Sequence, residues 1–365
     1  MAEMIGEQQL RDIITGAAFM GSGGGGSPKD GLKLLDELRS LDKAEVTLVN
    51  HQEMADDEWA VMVAEMGAPK VFSQAESFPE TVIAFTLMQD VAAQSGRTIK
   101  YLMAGELGGF NTMVPLYVAA LQGMPFVDAD GNGRAVPELG ADLYAVGDVP
   151  HSPITMASNN GDSLVVYLSD PLDHKTAESI ARHVSMAYGQ LAAFCTYVVN
   201  RKMIVDKLAP GTVTQCMVVG RAFREADGFK ELSEALKDEV GAKELFKGAI
   251  SSIELKSEGG FDFGITQIDG TEAYGGKSVS VGFKNENMLL RDESGKVMAT
   301  VPDLITLVDA EALQPLTNAD TKKGQNVAVF GATASANWLR SPVGFDCWTH
   351  ILHSFEYDGD YVPVK

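Results

Sequence analysis

Apolar positions along the first 130 residues recur in blocks whose period switches between helix and strand. From Gln8 to Phe19, the residues Leu10, Ile13, Ile14, Ala17 and Ala18 lie at helical spacing. Pro28 opens a second helical stripe, Leu32, Leu34, Leu35 and Leu38, which ends near Leu41. Val46 to Val49 and Trp59 to Val63 are continuous apolar runs of strand length, and the second leads into a turn, Glu65-Met66-Gly67-Ala68-Pro69. Glu80 to Gln94 returns to helical period, Ile99 to Met103 reads as a strand, Asn111 to Leu121 as a helix capped by Asn111, and Pro125-Phe126-Val127 as a short strand. Strands alternating with helices in this way predict a mostly parallel sheet with helical crossovers, where ligands bind at the carboxyl ends of the strands.

Beyond Gly140 the texture changes. Leu164 to Leu168 reads as a strand, Ser169-Asp170-Pro171 breaks the chain, and Asp173 begins a helix expected to run through Ala193. Helices follow at Thr212 to Glu225 and Phe229 to Leu236. From Ala249 strands dominate, at Ile253 to Leu255, Phe261 to Thr266, Ser278 to Phe283 and Asn326 to Phe330. The expected fold class is therefore mixed α/β in two domains, residues 1–170 and a strand-rich 171–365, and a chain of 365 residues can bury a core in each.

Two polar stretches interrupt the first half. Gly21-Ser22-Gly23-Gly24-Gly25-Gly26 links the first two helices. Glycines tolerate positive φ and close approach, while Ser27 as cap, Pro28 at the first position and Asp30 in the first turn define a helix start aimed at the loop. Gly23, Gly24, Gly25, Gly26 and Ser27 are accordingly candidate ligand-binding residues. The loop lacks the Gly-Lys-Ser/Thr of a phosphate-binding loop, and a helix rather than a strand precedes it, so neither common nucleotide fingerprint fits. The second stretch, Asp128-Ala129-Asp130-Gly131-Asn132-Gly133-Arg134-Ala135-Val136-Pro137-Glu138, sets carboxylates and a guanidinium on a glycine-punctuated turn after a strand. It resembles half a calcium loop without the distant glutamate and flanking helices. With Glu106 at the preceding strand end, Asp128, Asp130 and Glu138 are the candidate acids and bases. Asp130 is expected to be ionised by Arg134 and to activate water, Glu106 to serve the leaving group, and Asp128 to anchor the turn. Loop and turn are expected to meet in one pocket between the domains.

The net charge of −21 repels nucleic acid and anionic membranes, so neither is an expected partner. Three scattered cysteines without a CxxC and a polar, acidic N-terminus predict a cytoplasmic protein. Cys195 has apolar neighbours and reads as an inert thiol. Cys347, His350 and His353 share a spacing of three but lack a fourth ligand, and no HExxH appears, so neither metal nor cofactor is expected.

The glycine run with Ser27-Pro28, Met66-Gly67-Ala68-Pro69, Glu106-Leu107-Gly108-Gly109-Phe110-Asn111 and Val127 through Glu138 together resemble the successive motifs of the DUF917, or S-methyl thiohydantoin desulfurase-like, family. The likeness covers most of the first half and is looser beyond Asp170, where it rests on Pro210-Gly211-Thr212, Gly220-Arg221-Ala222 and the strand-rich tail. Asn132 and Val136 stand where Met and Phe are usual. The resemblance implies a two-domain hydrolase that converts a propionate-bearing S-methyl thiohydantoin to a hydantoin and methanethiol, a step in ergothioneine breakdown. Amides of the glycine loop and Asn111 would hold the ring, and Arg134 the substrate carboxylate. The competing expectation is a non-catalytic metabolite-binding subunit, acting as a homo-oligomer or beside a hydantoinase- or oxoprolinase-like enzyme.

Overall fold

The computed structural model describes residues 2–365 except 68–70, 72–73, 76, 259 and 341–342. Its first layer system is built on one sheet of strands β1 (Glu3–Ile5), β2 (Val46–Asn50), β3 (Glu58–Gly67), β4 (Thr98–Ala104), β5 (Phe126–Asp130), β6 (Ile154–Ser158), β7 (Ser163–Val166), β8 (Leu191–Asn200) and β9 (Ala209–Pro210). The order is β1-β2-β5-β4-β3-β8-β6-β7, with β9 added to β5. The four strands β2, β5, β4 and β3 are parallel, as the apolar runs and helical crossovers predict, and the strands around them pair antiparallel. The helices α1 (Glu7–Met20), α2 (Pro28–Ser40), α3 (Pro79–Gln94) and α4 (Met113–Gln122) bury their apolar sides in a core on one face, with Leu10, Leu35, Phe85 and Leu116 at its centre. A four-residue helix, α5 (Leu143–Val146), and α6 (His174–Ala187) pack on the other.

The helix expected over Asp173 to Ala193 stops early. Asp173 does cap it, accepting from the Thr176 amide, but Gly189 and Gln190 take positive φ and the chain reverses into β8. Ala192 and Ala193 favour helix alone; their pairing with β3 at Met66 and Glu65 overrides that preference. The first sheet thus takes β8 and β9 from beyond Asp170. Ala68 and Pro69 of the expected turn lie outside the described residues.

After β8 come α7 (Arg201–Lys207), α8 (Thr212–Glu225) and α9 (Phe229–Val240), then a second, wholly antiparallel sheet. It comprises β10 (Lys243–Glu258), β11 (Phe261–Gly270), β12 (Ser278–Lys284), β13 (Glu286–Asp292), β14 (Val297–Thr300), β15 (Leu304–Asp309), β16 (Gln314–Leu316) and β17 (Asn326–Ala332), in the order β14-β13-β12-β11-β10-β17-β15-β16. Three short C-terminal helices, α10 (Ala336–Leu339), α11 (Val343–Asp346) and α12 (Thr349–His353), bring Trp338, Trp348 and Leu352 against the core on the α6 side of the first sheet. Among the described residues, no helix is long and apolar enough to cross a membrane.

The closest helix crossing joins α1 to α8, and glycine permits it. A Cβ on Gly16 would lie 1.8 Å from the Cys216 carbonyl oxygen, and one on Gly220 would lie 1.7 Å from that of Asp12. The Arg224 guanidinium closes the same crossing with a two-pronged bond to Asp12, at 2.9 and 3.0 Å. Gly220→Ala gains helix propensity yet forces backbone from backbone, and overpacking of this kind costs about 1–3 kcal/mol or more. We expect Gly220→Ala to lower the unfolding free energy by at least about 2 kcal/mol in urea titrations, whereas Gly140→Ala, where a Cβ meets nothing within 4 Å, should leave it nearly unchanged.

Candidate functional site

Three turns at the carboxyl side of the parallel strands pack on one another. The glycine run begins where α1 ends, and Ser22, Gly23, Gly25 and Gly26 all take positive φ. Ser27 caps α2 by accepting from the Lys29 amide at 3.2 Å, with Pro28 in the first turn. Gly25 offers its carbonyl to the amides of Phe110 and Asn111, at 3.3 and 3.0 Å, and a Cβ on it would lie 2.4 Å from the Gly108 Cα. The turn after β4 is in turn clasped by the turn after β5: the Leu107 amide donates to the Arg134 carbonyl, and Asn132 Nδ2 to that of Gly105 at 3.0 Å. Asn132 also accepts from the Leu143 amide at 2.8 Å, which is the use of an amide side chain at that position.

A hairpin end from the second sheet plugs this assembly from the other side. The Asn287 amide donates to the Ser22 carbonyl and the Asn318 amide to that of Gly23, both at 2.8 Å. The Glu286 carboxyl lies over Gly24, where a Cβ would come within 2.1 Å of its Oε1. Glu286 is buried, its Oε2 has no partner, and burial together with the neighbouring Glu106 pushes its carboxyl well above the usual range. The sequence reading passed over Glu286; the signal was Lys284-Asn285-Glu286-Asn287, an all-polar run between apolar strands, which looks like any solvated hairpin end.

Arg134 is fully buried and cannot hold a substrate carboxylate. Its Nε donates to the Ala135 carbonyl, Nη1 to those of Pro302 and Asp303, and Nη2 to that of Asn287, at 2.9–3.1 Å. Burial lowers it to about 10, while Glu286, Asp303 and Glu106 act in the other direction. The expectation that Arg134 keeps Asp130 ionised is also overturned. Burial pushes Asp130 up to about 7, against the amides of Asn132 and Gly133, which bond to it, and the nearby Thr212 hydroxyl, which donates to the Ala209 carbonyl at 3.3 Å. Asp130, not Asp128, therefore holds the glycine turn by its amides. Asp128 instead caps α8, accepting from the Thr214 amide at 2.9 Å and its hydroxyl at 2.6 Å.

Glu106 is the partly exposed member of the group. Burial raises it to about 7 against the Val136 amide (2.7 Å), the Asn111 side chain (2.5 Å) and Arg134. Asn111 thus serves Glu106 and does not cap α4, whose cap position falls to Thr112. Glu138 is set apart from these groups: burial pushes it up, but bonds from His350 and from Lys284 (2.6 Å) outweigh that and hold it at about 2. It stays ionised at neutral pH, unfit to trade protons. Among the described residues no three His, Cys, Asp or Glu side chains are placed to hold a metal ion; His350 pairs with Glu138 and His353 with Asp358. Burial pushes the Cys195 thiol up, as an inert thiol requires.

Between the two sheets opens a cleft of about 330 Å³. Gly133 and Met20 reach its wall from the first half; Thr212 and Gln215 come from the start of α8, and Ser335, Asn337 and Arg340 from the chain after β17. The turn after β5 therefore meets the cleft, while Gly23 to Ser27 do not line it. A second carboxyl pair, Glu65 and Glu80, lies near the end of β3 with all four oxygens buried and without partners among the described residues; burial raises both, Glu80 to about 7, and the Glu80 charge adds to the rise at Glu65.

The raised carboxyls have a consequence for stability. An unfolded carboxyl titrates near 4, so between about 4 and 7 the folded state binds more protons through Glu80, Glu106 and Asp130. Their stabilising contribution is full below the unfolded value and disappears as pH rises through 7; Glu138, shifted the other way, loses its contribution only in strong acid. The melting temperature should therefore fall between pH 5.5 and 8, and a rise across that interval in differential scanning fluorimetry would contradict these assignments.

Residues 8–167 match the family model of the S-Me-THD-like N-terminal domain and residues 172–364 that of the S-Me-THD-like C-terminal domain. No curated protein matches. A crystal structure of a protein from Chromobacterium violaceum is similar throughout, with 27% identity, 100% of both chains covered and a TM-score of 0.87. The two matches together span nearly the whole sequence, and the chain belongs to the S-Me-THD-like family.

Proposed function

We propose that the protein hydrolyses an S-methyl thiohydantoin, releasing methanethiol and leaving a hydantoin. The observation that carries this reading is a pair of carboxyls, Asp130 and Glu106, at the ends of adjacent strands, both raised to about 7 by burial, with the Glu106 charge adding to the rise at Asp130. A catalytic acid and base must exchange protons near the working pH, and ordinary carboxyls near 4 do so poorly. Asp130 is buried, yet Thr212, whose hydroxyl lies beside it, is on the cleft wall.

The ring carbon bearing sulfur is amidine-like and electrophilic. Water adds to it and gives a proton through Thr212 to the Asp130 carboxylate. The ring nitrogen, no longer doubly bonded to that carbon, takes this proton from Asp130 in turn. The C–S bond then breaks, the methylthiolate takes the proton of Glu106, and the carbon–oxygen double bond forms as the hydroxyl proton passes to the Glu106 carboxylate. One water is consumed and one methanethiol released, one water hydrogen ends on sulfur and one on ring nitrogen, and both carboxyls return to their starting states. Family membership supports the substrate class. The alternative, a metabolite-binding subunit without chemistry, is separated by headspace detection of methanethiol when purified protein meets S-methyl thiohydantoin propionate.

Asp130→Asn and Glu106→Gln should each lower turnover by about two to four orders of magnitude, with circular dichroism unchanged. Activity should follow a bell centred near pH 7: the acid limb falls as Asp130 takes its proton, the alkaline limb as Glu106 loses its own. Wild-type protein that releases no methanethiol defeats the proposal, and near wild-type turnover in Asp130→Asn removes that residue from the role of base.

A further inference from the structure

The geometry points to Arg340 as the clamp of the interdomain cleft, receiving the single carboxylate of a small ring ligand whose N–H is met by Asn337. Three observations converge. Arg340 is the one charged side chain on the cleft wall, is exposed, and has neither ion pair nor hydrogen bond of its own among the described residues. Its planar fork matches a carboxylate at two points.

Asn337 supplies the second observation. It is 8% exposed and lines the same cleft; its Nδ2 donates to the Leu208 and Val205 carbonyls, which fixes the amide orientation and leaves Oδ1 without a partner among the described residues. A buried acceptor left open costs stability unless a donor reaches it, and a ring N–H is such a donor.

The wall and volume set the class of ligand. Met20, Pro210, Leu304 and Ala334 give the cleft apolar surface against which a flat ring can lie, and about 330 Å³ falls at the small end of ligand sites. One guanidinium, with no lysine beside it, suits a single carboxylate better than a diphosphate. The first turn of α8 adds the positive end of a helix dipole, part of which Asp128 already takes up. Arg340 thereby assumes the part that buried Arg134 cannot play.

This inference rests on the reading of the cleft as a substrate site, but its test needs no turnover. Isothermal titration with hydantoin-5-propionate and with unsubstituted hydantoin, both inert to desulfuration, measures the carboxylate's share directly. Wild-type protein should bind the propionate at least about ten-fold more tightly, since charge-assisted hydrogen bonds are worth about ten- to a hundred-fold in affinity. Arg340→Ala should make the two probes bind alike, and Arg340→Lys should restore part of the difference. The inference is overturned if the wild type shows no preference, if it binds neither probe, or if Arg340→Ala keeps the preference. Binding as expected without methanethiol release would leave the clamp standing and remove the hydrolase.

Discussion

Burying a guanidinium is costly by several kcal/mol, and the fold spends that cost on one residue that ties its two sheets together. Arg134 leaves the turn after β5 and ends on three carbonyls of the second sheet, that of Asn287 at the start of β13 and those of Pro302 and Asp303 between β14 and β15, besides one of its own turn. Attraction to the carboxyls of Glu286, Asp303 and Glu106 opposes the effect of burial on the cation. Everything else at the seam follows from this fixed point: the hairpin end at Glu286 and Asn287 is held over the glycine run, and the glycine run is held against the turn after β4.

The glycines make that seam possible by two separate properties. Positive φ at Gly23, Gly25 and Gly26 lets the chain curl within a few residues. The missing Cβ at Gly24 leaves room for a carboxyl from another layer. The loop is thus a socket for the second domain, and its carbonyls at Ser22, Gly23 and Gly25 are spent within the protein. The neighbouring cleft begins one residue before the glycines, at Met20.

The elements of the first half were readable because their causes are local. Apolar runs of strand length became parallel strands buried on both faces, and Ser27-Pro28 began a helix as its chemistry dictates. The expected helix through Ala193 failed because Ala192 and Ala193 gain more from pairing with β3 than from helical preference. Within the site, the turn from Asp128 to Glu138 was found by its density of polar groups, yet the parts its members play were not. Asp130 takes over the turn-anchoring part expected of Asp128, and Asp128 caps α8, a helix whose Thr214 arrives more than eighty residues later. Arg134 and Glu286 meet across more than 150 residues, a relation that no spacing within either stretch can express.

The use of β8 as the neighbour of β3 bears on how the chain is made. During synthesis, the four parallel strands are complete once Asp130 has emerged, yet one flank of β3 keeps open backbone donors and acceptors until Leu191 to Asn200 follow. That interval of some sixty residues presents a long, apolar sheet edge, the kind that recruits other chains. The strands β6 and β7 cannot shield it, since they join the sheet only through β8. A nascent chain paused near residue 170 would be exposed to aggregation in a way that the finished molecule is not.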